Sequence, residues 1–78
     1  MQLGCGVTTK EIRGRPYLYF WQYEERGGRR VQAFRYLGSA RSEAARRRLE
    51  EALDAYLERL EAEIRRRRGE ILARALPP

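Results

Sequence analysis

Arg13, Arg15, Gln22, Arg26, Arg29, Arg30 and Arg35 fall in one short stretch that also carries Tyr17, Tyr19, Trp21, Tyr23 and Tyr36. Guanidinium groups are permanent cations whose forked donors match phosphate oxygens and the base edges of a duplex major groove, and a glutamine amide offers the same two-pronged geometry. Tyrosine and tryptophan rings can instead stack on unpaired bases. The combination points to nucleic acid, with either mode open. Catalytic chemistry finds no comparable grouping. The chain has no histidine for proton transfer, its single cysteine, Cys5, has no partner base nearby in sequence, and no glycine loop leads into a helix. One cysteine without histidine also gives no disulfide and no ordinary zinc set. The expectation is a binding protein with no enzyme activity, metal, cofactor or small-molecule substrate.

The charge supports a polyanionic partner. The net charge is +6, and Lys10 is the only basic residue that is not arginine. Residues 1–38 carry seven basic and three acidic side chains, a balance of +4; the remainder carries ten and eight, a balance of +2. The helical clusters Arg46 to Arg48 and Arg65 to Arg68 share their segment with Glu50, Glu51, Asp54, Glu58, Glu61 and Glu63, which can pair with them at i to i+4. The strand half therefore ranks above the helix as a binding site. No apolar run approaches the roughly 20 residues that span a bilayer, and the first residues lack the pattern of a signal peptide. A cytoplasmic protein without a membrane partner is expected, nucleoid-associated if DNA is its ligand. Abundant charge and the absence of asparagine and histidine suit a thermophile.

Two periods divide the chain into the elements that must position these residues. Period 2 with β-branched and aromatic residues, interrupted by Gly14-Arg15-Pro16 and Arg26-Gly27-Gly28, predicts antiparallel strands near Val7 to Arg13, Tyr17 to Glu24 and Arg29 to Leu37. After Gly38 the chain is dominated by Ala, Leu, Glu and Arg. It predicts one long helix over 39–76, capped by Ser39 or Ser42, either continuous or broken once near Gly69. The fold class is α+β: a three-stranded antiparallel meander followed by one long C-terminal α-helix, in a single domain over 1–78. A helix of that length, on the order of 50 Å, outreaches a seven-residue strand of roughly 23 Å. Its stripe Leu53, Leu57, Leu60, Ile64 and Ile71 therefore suggests a homodimer paired through helices, which would also supplement a small core.

The register decides which residues share a face. A two-residue turn at Gly27-Gly28 puts Gln32, Phe34 and Tyr36 beside Tyr17, Tyr19, Trp21 and Tyr23, and a turn at Gly14-Arg15 adds Thr8, Lys10 and Ile12. This face holds the larger apolar surface and is expected to be the core. The opposite face, with Arg13, Leu18, Phe20, Gln22, Val31, Ala33 and Arg35, is expected to meet duplex DNA. Arg15, Arg26, Arg29 and Arg30 would then reach flanking phosphates from the turns. A three-residue turn, Arg26-Gly27-Gly28, would invert the third strand and join Tyr19, Trp21 and Arg35 on one surface, which favours stacking of single-stranded DNA or RNA. A third reading is an assembly module that dimerises through the helix and binds no nucleic acid.

The segment GRPYLYFWQYEERGGRRVQAFRYLGSARSEAARRRLEEAL resembles the arm-binding, integrase N-terminal-like domains of tyrosine recombinases, which place a three-stranded sheet before a helix. It is similar also to small archaeal and mobile-element proteins with a Tyr-x-Tyr, Gly-Arg, Tyr-Leu-Gly pattern, matched by Gly14, Tyr17, Tyr19, Gly28, Arg29, Tyr36, Leu37 and Gly38. The likeness covers about half the chain and implies DNA binding through the sheet. The chain departs from it in carrying no catalytic recombinase domain and in a much longer helix, as a freestanding dimeric DNA binder would.

Overall fold

A computed structural model describes residues 4–76. Strands β1 (Cys5–Ile12), β2 (Arg15–Arg26) and β3 (Arg29–Ser39) form one antiparallel sheet in the order β1-β2-β3, and helix α1 (Glu43–Ala75) follows. The α+β meander-and-helix architecture is as the two periods predict. The strands run longer than their apolar cores, because hairpin pairing continues to the turn residues themselves.

Both hairpins close through two residues. Gly27 and Gly28 have φ of +56° and +77°, the paired positive values of a turn whose twist suits the flanking strands. Trp21 therefore faces Phe34 and Tyr23 faces Gln32. The first turn is Arg13-Gly14, not Gly14-Arg15, with φ of +52° and +77° and Ile12 opposite Arg15. The displacement is by an even step across the pair, so every side chain keeps its expected face.

What differs is the face that the helix covers. The core consists of Phe20, Leu37, Ala45 and Ala52, with Cys5, Leu18, Leu49, Leu53 and Tyr56 packed around it. These strand residues lie on the side expected to meet DNA; the tyrosine and tryptophan side carries no helix. The reason lies at the end of β3. A bulge shifts the pairing from Tyr19 opposite Tyr36 to Leu18 opposite Gly38, and Leu37, inserted by that irregularity, is wholly buried. Gly38 then takes φ +127°, a conformation that favours glycine, and its backbone comes so close to the helix that an added Cβ would stand 3.3 Å from that of Ala45. The Ala40 amide donates to the Pro16 carbonyl at 3.0 Å, and the Arg48 guanidinium donates to the Leu37 carbonyl at 2.9 Å. Chain direction and close approach thus bring the helix onto the face with the narrower side chains.

Ser42 caps the helix, its hydroxyl accepting from the Ala45 amide at 3.3 Å. The helix runs unbroken through Gly69, whose neighbours are strong helix formers and outweigh a cost of about 1 kcal/mol. The sheet supports only its first half. Beyond Leu60 the helix projects alone, giving the molecule extents of 63 × 27 × 19 Å. No helix among the described residues is long and apolar enough to cross a membrane.

Candidate nucleic-acid interface

The side of the sheet away from α1 is built by alternation. β1 contributes Gly6, Thr8, Lys10 and Ile12; β2 contributes Arg15, Tyr17, Tyr19, Trp21, Tyr23 and Glu25; β3 contributes Arg30, Gln32, Phe34 and Tyr36. Six of the eight aromatic residues stand here, and only Phe20 and Tyr56 lie on the helix side. Phe34 is 52% and Tyr36 56% exposed. The rings support one another: Tyr36 lies 6.2 Å from Tyr17 and 5.4 Å from Tyr19 between centroids, and Trp21 meets Tyr23 edge-on at 5.5 Å. Such pairs add about 0.5–1.5 kcal/mol each beyond area burial, which helps an aromatic surface persist without a lid.

Cations are set among the rings. The Lys10 Nζ sits 4.7 Å from the Tyr19 centroid and 5.4 Å from that of Phe34, near the middle of the sheet. The Arg30 guanidinium lies 4.1 Å over Tyr23. Arg15 stands at the other end with Ile12, Arg13 and Tyr17 around an open hollow. Three cations and the single acid Glu25 leave this face positive.

Gly6 is the seat of the tryptophan. A Cβ at this position would come within 2.7 Å of the Trp21 ring, so the indole rests on bare backbone. Gly6→Ala should unseat it and shift its emission to the red. Any ligand that uses the ring should bind several-fold more weakly, with little loss of helical circular dichroism because Phe20 and Leu37 are untouched.

The residues expected to read duplex base edges are distributed differently. Gln22 faces the helix. Its carbonyl oxygen accepts from Arg59 at 2.7 Å and its amide donates to Glu24 at 3.0 Å, so both prongs are occupied. Arg26 pairs with Glu24 at 2.8 Å. The hydrogen bond from Gln22 and then that from Arg26 hold the Glu24 carboxyl below its ordinary pKa. Arg35, also on the helix side, lines a cleft of about 320 Å³ beside α1 with Arg26 and Arg59. Arg13, Arg15 and Arg29 remain exposed at the hairpins, and Arg30 belongs to the aromatic face. Lys10, Tyr17, Phe34 and Tyr36 lie on this open face, which apolar volume alone assigns to the core; the signal that groups them with Trp21 is strand alternation. Cys5 packs against the core, and burial raises its thiol pKa.

Of the expected helical interface, Leu53 is half-buried against the core and Leu60 half-buried beyond it, whereas Leu57, Ile64 and Ile71 are 49%, 47% and 66% exposed. Arg65 to Arg67 pair along the helix with Glu61, Glu63 and Glu70. These pairs are all solvent-exposed, where each contributes a few tenths of a kcal/mol.

Fold and site together define a helix-backed three-stranded sheet with an open, cation-studded aromatic face. No family model, curated protein or solved structure matches the chain.

Proposed function

We propose that this is a cytoplasmic nucleic-acid-binding protein, not an enzyme, that stacks unpaired bases of single-stranded DNA or RNA on Tyr19, Trp21, Phe34 and Tyr36 while Lys10, Arg15 and Arg30 meet the backbone. The observation that carries this reading is the grouping of six aromatic residues and three cations on the helix-free side of one sheet. Base stacking on an aromatic ring contributes about 1–3 kcal/mol per base and tolerates any sequence. The chain acts as a homodimer through its helix, where Leu57 and, on the projecting half, Ile64 and Ile71 lack cover.

A duplex-binding mode is the second reading, favoured by arginines at both hairpin tips and by the resemblance to arm-binding domains. It must now use the same open face, since Gln22 is engaged and α1 stands over Phe20.

Trp21 is the only tryptophan and reports directly on the site. Single-stranded probes should quench its emission at low salt. Affinity should then fall with added salt at a log-log slope of about −0.7 per phosphate engaged. Duplex binding at least tenfold tighter than single-strand binding, with the same quenching, would select the groove mode. No quenching by either probe in low salt would leave the assembly module.

A further inference from the structure

Helix α1 carries two features that together point to how a second copy would lie on it. The first is the position of its apolar stripe. At 100° per residue, Leu57, Leu60, Ile64 and Ile71 centre about 80° around the helix from Ala45, Leu49, Ala52 and Tyr56, which meet the sheet, and Leu53, which also packs against the core, begins the same stripe. A partner helix on that stripe therefore lies beside α1 in the same layer, not beneath it. The spacing of 4, 3, 4 and 7 is that of a heptad seam, in which Arg67 and Arg74 fall at the core positions that follow Leu60.

The second feature is a reversal of charge along the helix. Glu50 to Glu63 contains six acids and one arginine, a net −5; Arg65 to Arg74 contains five arginines and one glutamate, a net +4. A parallel pair would stack Arg67 and Arg74 on their own copies in the seam and set Arg65 to Arg68 against the same four cations. An antiparallel pair turns both contacts around. With Leu60 opposite Ile64 of the second copy, Leu53 meets Ile71 and Leu57 meets Arg67, whose guanidinium then lies by the acidic segment that includes Asp54 and Glu58. Among the described residues Glu51, Asp54 and Glu58, and Arg68 and Arg74, have no ion pair within their own chain.

We infer that α1 pairs with a second copy of itself in antiparallel orientation, centred between Leu60 and Ile64, with the basic segment of each helix against the acidic segment of the other. The inference rests on the proposed homodimer and adds its orientation. That orientation has a consequence for binding. The two-fold axis of two antiparallel helices side by side is normal to their common layer, so both sheets lie on the same side of it and both aromatic faces point the same way. A parallel pair would point them in opposite directions. The two sheets are centred near helix residue 50 of each copy, about 35 Å apart along the seam at 1.5 Å per residue, and one long strand can bridge them.

Single-cysteine variants separate the orientations. In a Cys5→Ser background, Leu57→Cys and Arg67→Cys alter exposed positions outside the core, and both can be checked for unchanged far-ultraviolet circular dichroism. On mild oxidation, a mixture of the two variants should form a disulfide-linked heterodimer identified by intact mass, while neither variant should link efficiently to itself. Self-linking of each variant without the mixed product would overturn the antiparallel orientation and leave the homodimer. A monomeric mass for the unaltered chain by sedimentation up to high micromolar concentration would overturn the homodimer and its orientation together, while probe binding by Trp21 fluorescence would still report separately on the sheet.

Discussion

Replacing Tyr19 and Trp21 together by alanine is expected to abolish single-strand binding in the concentration range where the unaltered protein saturates. Two stacking contacts at about 1–3 kcal/mol each correspond to a loss of roughly 30-fold to more than 10⁴-fold, since 1.4 kcal/mol is a factor of ten. Anisotropy of a labelled strand measures this without the tryptophan that is removed. Folding should survive, because neither ring is in the cluster of Phe20, Leu37, Ala45 and Ala52 that joins helix to sheet. The aromatic-preserving pair Tyr19→Phe with Trp21→Phe should retain most of the affinity, which separates ring stacking from hydroxyl or indole hydrogen bonding. A folded alanine double variant that binds within threefold of the original would remove the open face from the site. Lys10→Ala acts through another route. It takes away a charge poised over two rings, so it should flatten the salt dependence as well as weaken binding.

The elements were legible from local signals and the choice of sheet face was not. Turn glycines, period 2 and the switch to helix formers after Gly38 specify three strands and a helix without reference to packing. Even the misplaced first turn left the faces intact, because only an odd slip exchanges them. Choosing between the faces requires knowing how the chain leaves β3, and the count of apolar volume on each side pointed the other way. Tyrosines satisfy such a count poorly: a hydroxyl-tipped ring stays half-exposed at little cost when it leans on another ring, as Tyr36 does on Tyr17 and Tyr19. The better signal was the small residues. Ala45 and Ala52, seven apart on the helix, and Gly38 at the strand end require a close approach. The side of the sheet with Phe20, Ala33 and Leu37 permits it, whereas four aromatic side chains on one strand do not. The polar and basic residues are likewise legible as a population, but their individual places depend on the face: Gln22 and Arg35 stand beside the helix and Lys10 among the rings.

Phe20→Ala, one position from Trp21 along the same strand, is expected to have the opposite phenotype. Loss of a buried phenylalanine costs about 3–5 kcal/mol once the cavity is included. A domain of this size is stable by only about 4–12 kcal/mol, and its core has few other members to compensate. The midpoint of thermal unfolding should fall by tens of degrees, since each kcal/mol shifts it by roughly 4–8 °C in domains of 60–100 residues. The helix and sheet should not suffer equally. With 33 residues rich in Ala, Leu, Glu and Arg, α1 exceeds the 12–15 residues at which isolated helices begin to persist in water. Far-ultraviolet helical signal should therefore outlast the near-ultraviolet aromatic signal, which depends on a sheet ordered against that helix. Binding should disappear along with the aromatic signal. Neighbouring substitutions on one strand thus divide into one that removes the ligand contact while leaving the fold, and one that removes the fold while leaving the contact residues. If Trp21→Ala unfolded the protein and Phe20→Ala left it stable, the helix would have to lie on the aromatic side, and the site built on that side would no longer exist.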